Sequence, residues 1–105
     1  MIIINQGTAI NTAKSFVNDC AAQGLNFYKV LLFGSWATGH AHKGSDIDLL
    51  LVSDRFGENI FDNLKLYSNI NIKYPIIETH PYPQSAYLEG NDFIEEISKD
   101  SISIV

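Results

Sequence analysis

Residues 31–52, LLFGSWATGHAHKGSDIDLLLV, decide the fold. An apolar run stops at Gly34-Ser35, a short glycine-bearing loop follows, and Asp46 and Asp48 stand at the head of a second apolar run. Successive strand residues point to opposite faces, so Asp46 and Asp48 are expected on one face, with Cα atoms roughly 6.5 Å apart at about 3.3 Å rise per residue. Carboxylates that close repel each other, and one pKa rises unless a cation neutralises them. A divalent metal is the economical explanation; Mg²⁺ takes one or two carboxylates plus substrate phosphates and keeps several waters. Gly34 then lets the backbone approach a ligand closely. The N–H groups in the first turn of a short helix after the strand form a phosphate site, and Ser35 adds a hydroxyl donor. A phosphate cradle beside a carboxylate metal site describes a nucleoside triphosphate held for transfer.

Working outward, FYKVLLF (27–33) is rich in strand formers and too short for a helix of that apolarity. DIDLLLV (46–52) is a second strand, apolar on both faces after Asp48, hence central and covered on both sides. Residues 8–23 read as a helix with Ile10, Ala13, Val17 and Ala21 on one stripe, Thr8 as N-cap and Gly24 as the stop. Residues 58–69 place Ile60, Leu64 and Tyr67 at helical spacing. INIKYPIIET (70–79) predicts a third strand that starts after Pro75, since proline suits a strand start or edge. HPYPQSAYLEGN (80–91) reads as irregular. DFIEEISK (92–99) is a helix capped by Asn91, with acids in its first turn where the dipole favours them, and ISIV (102–105) is a last edge strand. The expected fold class is α/β (α+β): one small mixed sheet flanked by helices, with residues 1–105 in a single domain.

Bulk composition narrows the function classes. The chain has 105 residues, enough for one core, and its 46% hydrophobic content is that of a folded globular protein. No apolar run approaches the roughly 18–20 residues of a membrane span. MIII at 1–4 has no basic flank or cleavage pattern, so it does not read as a signal peptide. The single Cys20 excludes an internal disulfide and reads as a small core residue; a reducing cytoplasm is expected. A net charge of −5 argues against general nucleic-acid binding but not against a metal-bridged nucleotide, because a divalent ion reverses the local sign.

Gly34-Ser35, ten residues, then Asp46-Ile47-Asp48 resembles the signature of the nucleotidyltransferase superfamily related to DNA polymerase β. The short chain is similar to the minimal members, which carry little beyond the catalytic domain. The resemblance implies a metal-dependent transfer of a nucleoside monophosphate, with ATP or another NTP as donor and two Mg²⁺ ions in the site. It implies Asp46 and Asp48 as metal ligands, and Gly34 and Ser35 as contacts to the β and γ phosphates. The third carboxylate of the pattern is matched by Glu78 in PIIETHPYP, where Asp is commoner; it would hold metal and serve as the base. Where members often carry Arg after the Ser, this chain has Trp36, which passes charge compensation to Lys43 or to a partner. Minimal members resemble the antitoxin half of toxin–antitoxin pairs, so the implied partner is a helical HEPN-type toxin whose hydroxyl accepts AMP. The alternatives are modification of a small molecule of aminoglycoside type, and a non-catalytic module that masks a partner.

Bland readings stand beside these. His40 and His42 read as solvated loop histidines rather than zinc ligands, because no Cys or further His accompanies them. His80, between Thr79 and Pro81, reads as a turn residue, with substrate contact as the alternative. Lys43 is a surface lysine or a triphosphate contact. Trp36 stacks on a base or packs under the turn. Phe27, Tyr28 and Phe33 are assigned to the core, and Glu95 and Glu96 to a solvated helix face. Trp36, Tyr82 and Tyr87 are expected to form an apolar docking surface beside the site, unless the tyrosines fold back onto the core.

Overall fold

Four strands build the sheet, in the order β3-β2-β1-β4. The computed structural model describes residues 5–105; the MIII segment, and with it the reading about a signal peptide, lies outside the described residues. β1 (Lys29–Phe33) runs antiparallel to β2 (Ile47–Ser53), β4 (Ile102–Ser103) antiparallel to β1, and β3 (Ile77–Pro83) parallel to β2. The mixed sheet and the central place of β2 match the expectation: from Leu49 to Ser53 the strand is buried without a break. Six helices cover the described sheet: α1 (Gln6–Ala22), α2 (Ser35–Thr38), α3 (Ile60–Lys65), α4 (Ser68–Asn71), α5 (Gln84–Glu89) and α6 (Asp92–Lys99). None of them is long and apolar enough to cross a membrane.

Strand alternation sorts the core into two layers. Val30, Leu32, Ile47, Leu49, Leu51 and Ile77 face α1, Trp36, Tyr67 and Ile70. Leu31, Leu50 and Val52 face the other way and meet Ile94 and Ile97 of α6. The first layer is the thicker one. In it Phe16 meets Tyr67 and Tyr74 edge to face, with ring centroids 6.1 and 5.8 Å apart.

The first helix starts earlier than expected. Asn5, not Thr8, is its cap: the Asn5 side chain accepts from the Thr8 N–H at 2.8 Å. The buried stripe is Ala9, Thr12, Ala13, Phe16 and Cys20, so only Ala13 of the predicted stripe is fully buried, and Ala21 is exposed. Phe16 decides this rotation, because its ring has two aromatic partners on the core side.

The helix expected over 58–69 is two short helices. Asn59 caps the first, and the chain leaves helical geometry at Tyr67 (φ −141°, ψ 1°). That break takes Tyr67 to full burial, where its hydroxyl shares a 2.9 Å hydrogen bond with Thr79 Oγ1. Burying a large ring with its one polar atom satisfied outweighs continuing an exposed helix. Ile60, which the helical spacing placed inside, is 53% exposed.

β3 runs further than the sequence suggested, through His80, Pro81, Tyr82 and Pro83, and QSAYLE is helical rather than irregular. Two prolines fit because β3 is the sheet edge. Ile77 N–H donates to Tyr74 O and so points away from β2. Pro81 and Pro83 share its parity, and their missing N–H groups cost the ladder nothing. Glu78 therefore sits near the start of β3 and does not close it. Tyr28, assigned to the core, is half exposed, while Phe27 and Phe33, also assigned to the core, are partly buried and pack against its two layers. Asn91 caps α6 as expected, accepting from Ile94 N–H at 2.9 Å, and Glu95 and Glu96 are exposed.

Candidate active site

The site forms on the thinner face, near the start of β2, where Asp48 shares the side of Leu50 and Val52. The parallel register sets Glu78 opposite Asp48. His80 lies two residues beyond Glu78 on the same strand, hence on the same face. Asp48, Glu78 and His80 each offer one ligand atom within 4.8 Å of the others. His80 Nε2 is 3.9 Å from Asp48 Oδ1 and 4.0 Å from Glu78 Oε1, and it is buried without a hydrogen-bond partner. The His80 ring lies against Phe33, with centroids 5.1 Å apart. The Asp48 carboxyl is held above its ordinary range, first by burial and then by the Glu78 charge. His80 acts in the opposite direction, while a hydrogen bond with Glu78 and the Asp46 charge push further upward. Two acids and an orphaned imidazole nitrogen facing one another are a donor set that fits a divalent cation.

Gly34 closes the site from the β1 side. It has φ 77° and ψ −152°, and a Cβ built there would stand 2.3 Å from Asp48 Oδ2. Only a glycine lets the turn lie against that carboxylate. From Gly34 the chain enters α2, and Gly34 O accepts from Ala37 and Thr38 N–H. The N–H groups of Ser35 and Trp36 start the helix and have no place in its ladder. A cleft of about 180 Å³ opens beside this turn, lined by Phe33, Gly34, Thr38, Glu96, Ile97 and Asp100. A larger hollow of about 390 Å³, lined by Thr8, Asn11, Thr12, Ser15 and Tyr74, lies apart from the carboxylates and carries no comparable chemistry.

The sequence reading placed six residues here. Asp48, Glu78 and Gly34 converge as described, and Ser35 adjoins Gly34 at the start of α2. Asp46 does not join the cluster: it stands one residue before β2, exposed, and reaches Asp48 only through its charge. Lys43 is exposed in the loop before β2, and among the described residues no ion pair ties it to the acids.

Trp36 is buried at 6% exposure and donates from Nε1 to Ser45 O at 2.8 Å. It braces the two ends of the loop and belongs to neither a base-stacking platform nor a docking surface. Tyr82 and Tyr87 likewise fold onto the second core layer. His40 and His42 are exposed, as read. Burial pushes the Cys20 thiol up to about 12, in keeping with a core residue.

His80, read from the sequence as a turn residue with substrate contact as the alternative, lies on β3 beside the two acids. Its signal was the Glu-x-His spacing, which becomes meaningful once the strand is known to continue past Thr79.

The nucleotidyltransferase domain family profile matches residues 14–103. No curated protein sequence matches the chain. Among solved structures, the chain is similar to a candidate nucleotidyltransferase from Sulfolobus solfataricus, with 24% identity and a TM-score of 0.66. That alignment covers 93% of this chain and 80% of the other. It is also similar to a chain of a toxin-antitoxin structure with AMP-PNP, with 14% identity and a TM-score of 0.59, over 88% of this chain and 72% of that one. At these identities the likeness is one of fold.

Proposed function

The chain belongs to the nucleotidyltransferase domain family, and from that premise we propose that it moves AMP from ATP to a hydroxyl of a protein partner. Residues 1–105 act as one catalytic domain, in the cytoplasm. The partner is a mostly helical HEPN-type toxin, for which this chain is the antitoxin. Asp48 and Glu78, with Asp46 as the expected further ligand, would hold Mg²⁺ or another divalent ion. Gly34 and Ser35 contact the triphosphate, and Lys43 adds a positive charge to it. The bound ion supplies charge neutralisation at the phosphates.

The chain's own residues do the rest. Gly34 brings the backbone against Asp48 so that phosphates and acids share one small space. Glu78 accepts the proton of the attacking hydroxyl. That oxygen bonds to the α-phosphorus, the bond from phosphorus to the oxygen bridging the β-phosphate breaks, and pyrophosphate leaves with the electron pair.

One observation carries the transfer chemistry: Asp48 and Glu78 lie in register across β2 and β3, against a turn whose glycine admits no side chain. The fold likeness to a toxin-antitoxin structure with AMP-PNP supports the protein partner and the adenine nucleotide. The test is incubation with α-labelled ATP, Mg²⁺ and the product of the neighbouring gene. Label is expected on that partner. Label confined to small molecules such as aminoglycosides rejects the protein acceptor, and no label anywhere leaves only a masking role.

A further inference from the structure

We infer that His80 is a metal ligand, so that the site takes a first-row transition ion such as Mn²⁺ in preference to Mg²⁺. The inference rests on the proposal that this cluster binds a divalent metal, and it goes beyond the three carboxylates on which that proposal stands. Three features of the fold carry it.

The first is register. β3 aligns Glu78 with Asp48, and strand alternation returns His80 to the same face two residues later. The second is the state of Nε2. It is buried and has no hydrogen-bond partner, although two carboxylate oxygens lie 3.9 and 4.0 Å away. Those distances are too long for hydrogen bonds and short enough for one ion to bridge with a small inward movement of the side chains. A buried nitrogen left unsatisfied destabilises the fold, and a bound cation would remove that penalty. The third is the ring itself. Phe33 packs against it at a centroid distance of 5.1 Å and limits how far the imidazole can swing toward water.

An oxygen-only site suits Mg²⁺, which needs near-ideal octahedral geometry and keeps its waters. Replacing one oxygen by an imidazole nitrogen shifts preference along the first-row series toward ions that accept nitrogen. His80 is thus a selectivity residue for the metal, and its neutral form is the one that ligates.

The experiment is pulsed EPR of the full chain loaded with Mn²⁺, paired with titrations of Mn²⁺ and Mg²⁺ into the parent and into His80→Gln. Nitrogen coupling from a directly bound imidazole is expected in the parent and lost in His80→Gln. Mn²⁺ affinity should fall about tenfold or more, with Mg²⁺ affinity changed less. Bound Mn²⁺ without nitrogen coupling in the parent overturns the inference, as does equal weakening of both ions in the variant. The parent spectrum decides the matter even if His80→Gln does not fold. Nitrogen coupling without nucleotide transfer keeps His80 as a ligand and rejects the transfer reading; transfer without nitrogen coupling does the reverse.

Discussion

At the scale of single residues, the site depends on a contact between a backbone and a carboxylate. Gly34 combines a positive φ with a Cβ position that Asp48 already fills. Gly34→Ala should therefore cost stability of about 1–3 kcal/mol, the range for a side chain forced into sparsely allowed backbone. It should also lose nucleotide transfer, because either the turn or Asp48 must move. Urea melts and a label-transfer assay read the two effects; an alanine variant as stable and active as the parent contradicts the close approach. Glu78 is assigned the role of base. Glu78→Gln should slow transfer by about 10²- to 10⁴-fold, with a smaller change in nucleotide affinity. A neutral effect there would mean the proton leaves by another route. Of these residues the sequence exposed the acids and the glycine through their spacing. It hid the position of His80 beside the acids, because Pro81 and Pro83 suggested a turn in place of an edge strand.

At the scale of elements, short helices hold the second core layer and are sensitive to their caps. α6 spans eight residues and buries Ile94 and Ile97 on Leu31, Leu50 and Val52. Its start depends on Asn91, which accepts from Ile94 N–H and whose amide donates to the Tyr82 hydroxyl. Asn91→Ala should cost about 1 kcal/mol, which for a domain of this size lowers Tm by roughly 4–8 °C. Calorimetry checks this, and an unchanged Tm would show that α6 needs no cap once it is docked. The break between α3 and α4 belongs to the same scale. Helical spacing in 58–69 was legible, but nothing local to those residues announces that Tyr67 turns inward to meet Thr79 and Phe16.

For the molecule as a whole, the Asp48 carboxyl makes stability depend on pH. The folded state raises the Asp48 pKa above its ordinary 3.8, so folding favours the protonated acid. That contribution is complete below the unfolded value and is lost as pH rises through the folded one. Metal-free protein should therefore lose this contribution as pH rises above about 4, and Asp48→Asn should flatten that decline. Thermal melts across this range decide it; a parent without metal that gains more stability than the variant as pH rises has the sign wrong. Mn²⁺ or Mg²⁺ should restore stability to the parent, by about 2.7 kcal/mol at a hundredfold excess over Kd, and not to Asp48→Asn. The sequence by itself determined the central strand, the Gly34-Ser35 turn, the acid at 48 and the capped last helix. Those features rest on local pattern: an unbroken apolar run, a glycine at a strand end, an Asn before an amphipathic segment. Tertiary structure alone decided that Asp46 stays outside the cluster, that Trp36 is core, and that Glu78 and His80 both face Asp48. Each of these depends on which strand lies beside β2 and in what register, and strand pairing between residues some 30 positions apart leaves no mark in the local pattern of either strand.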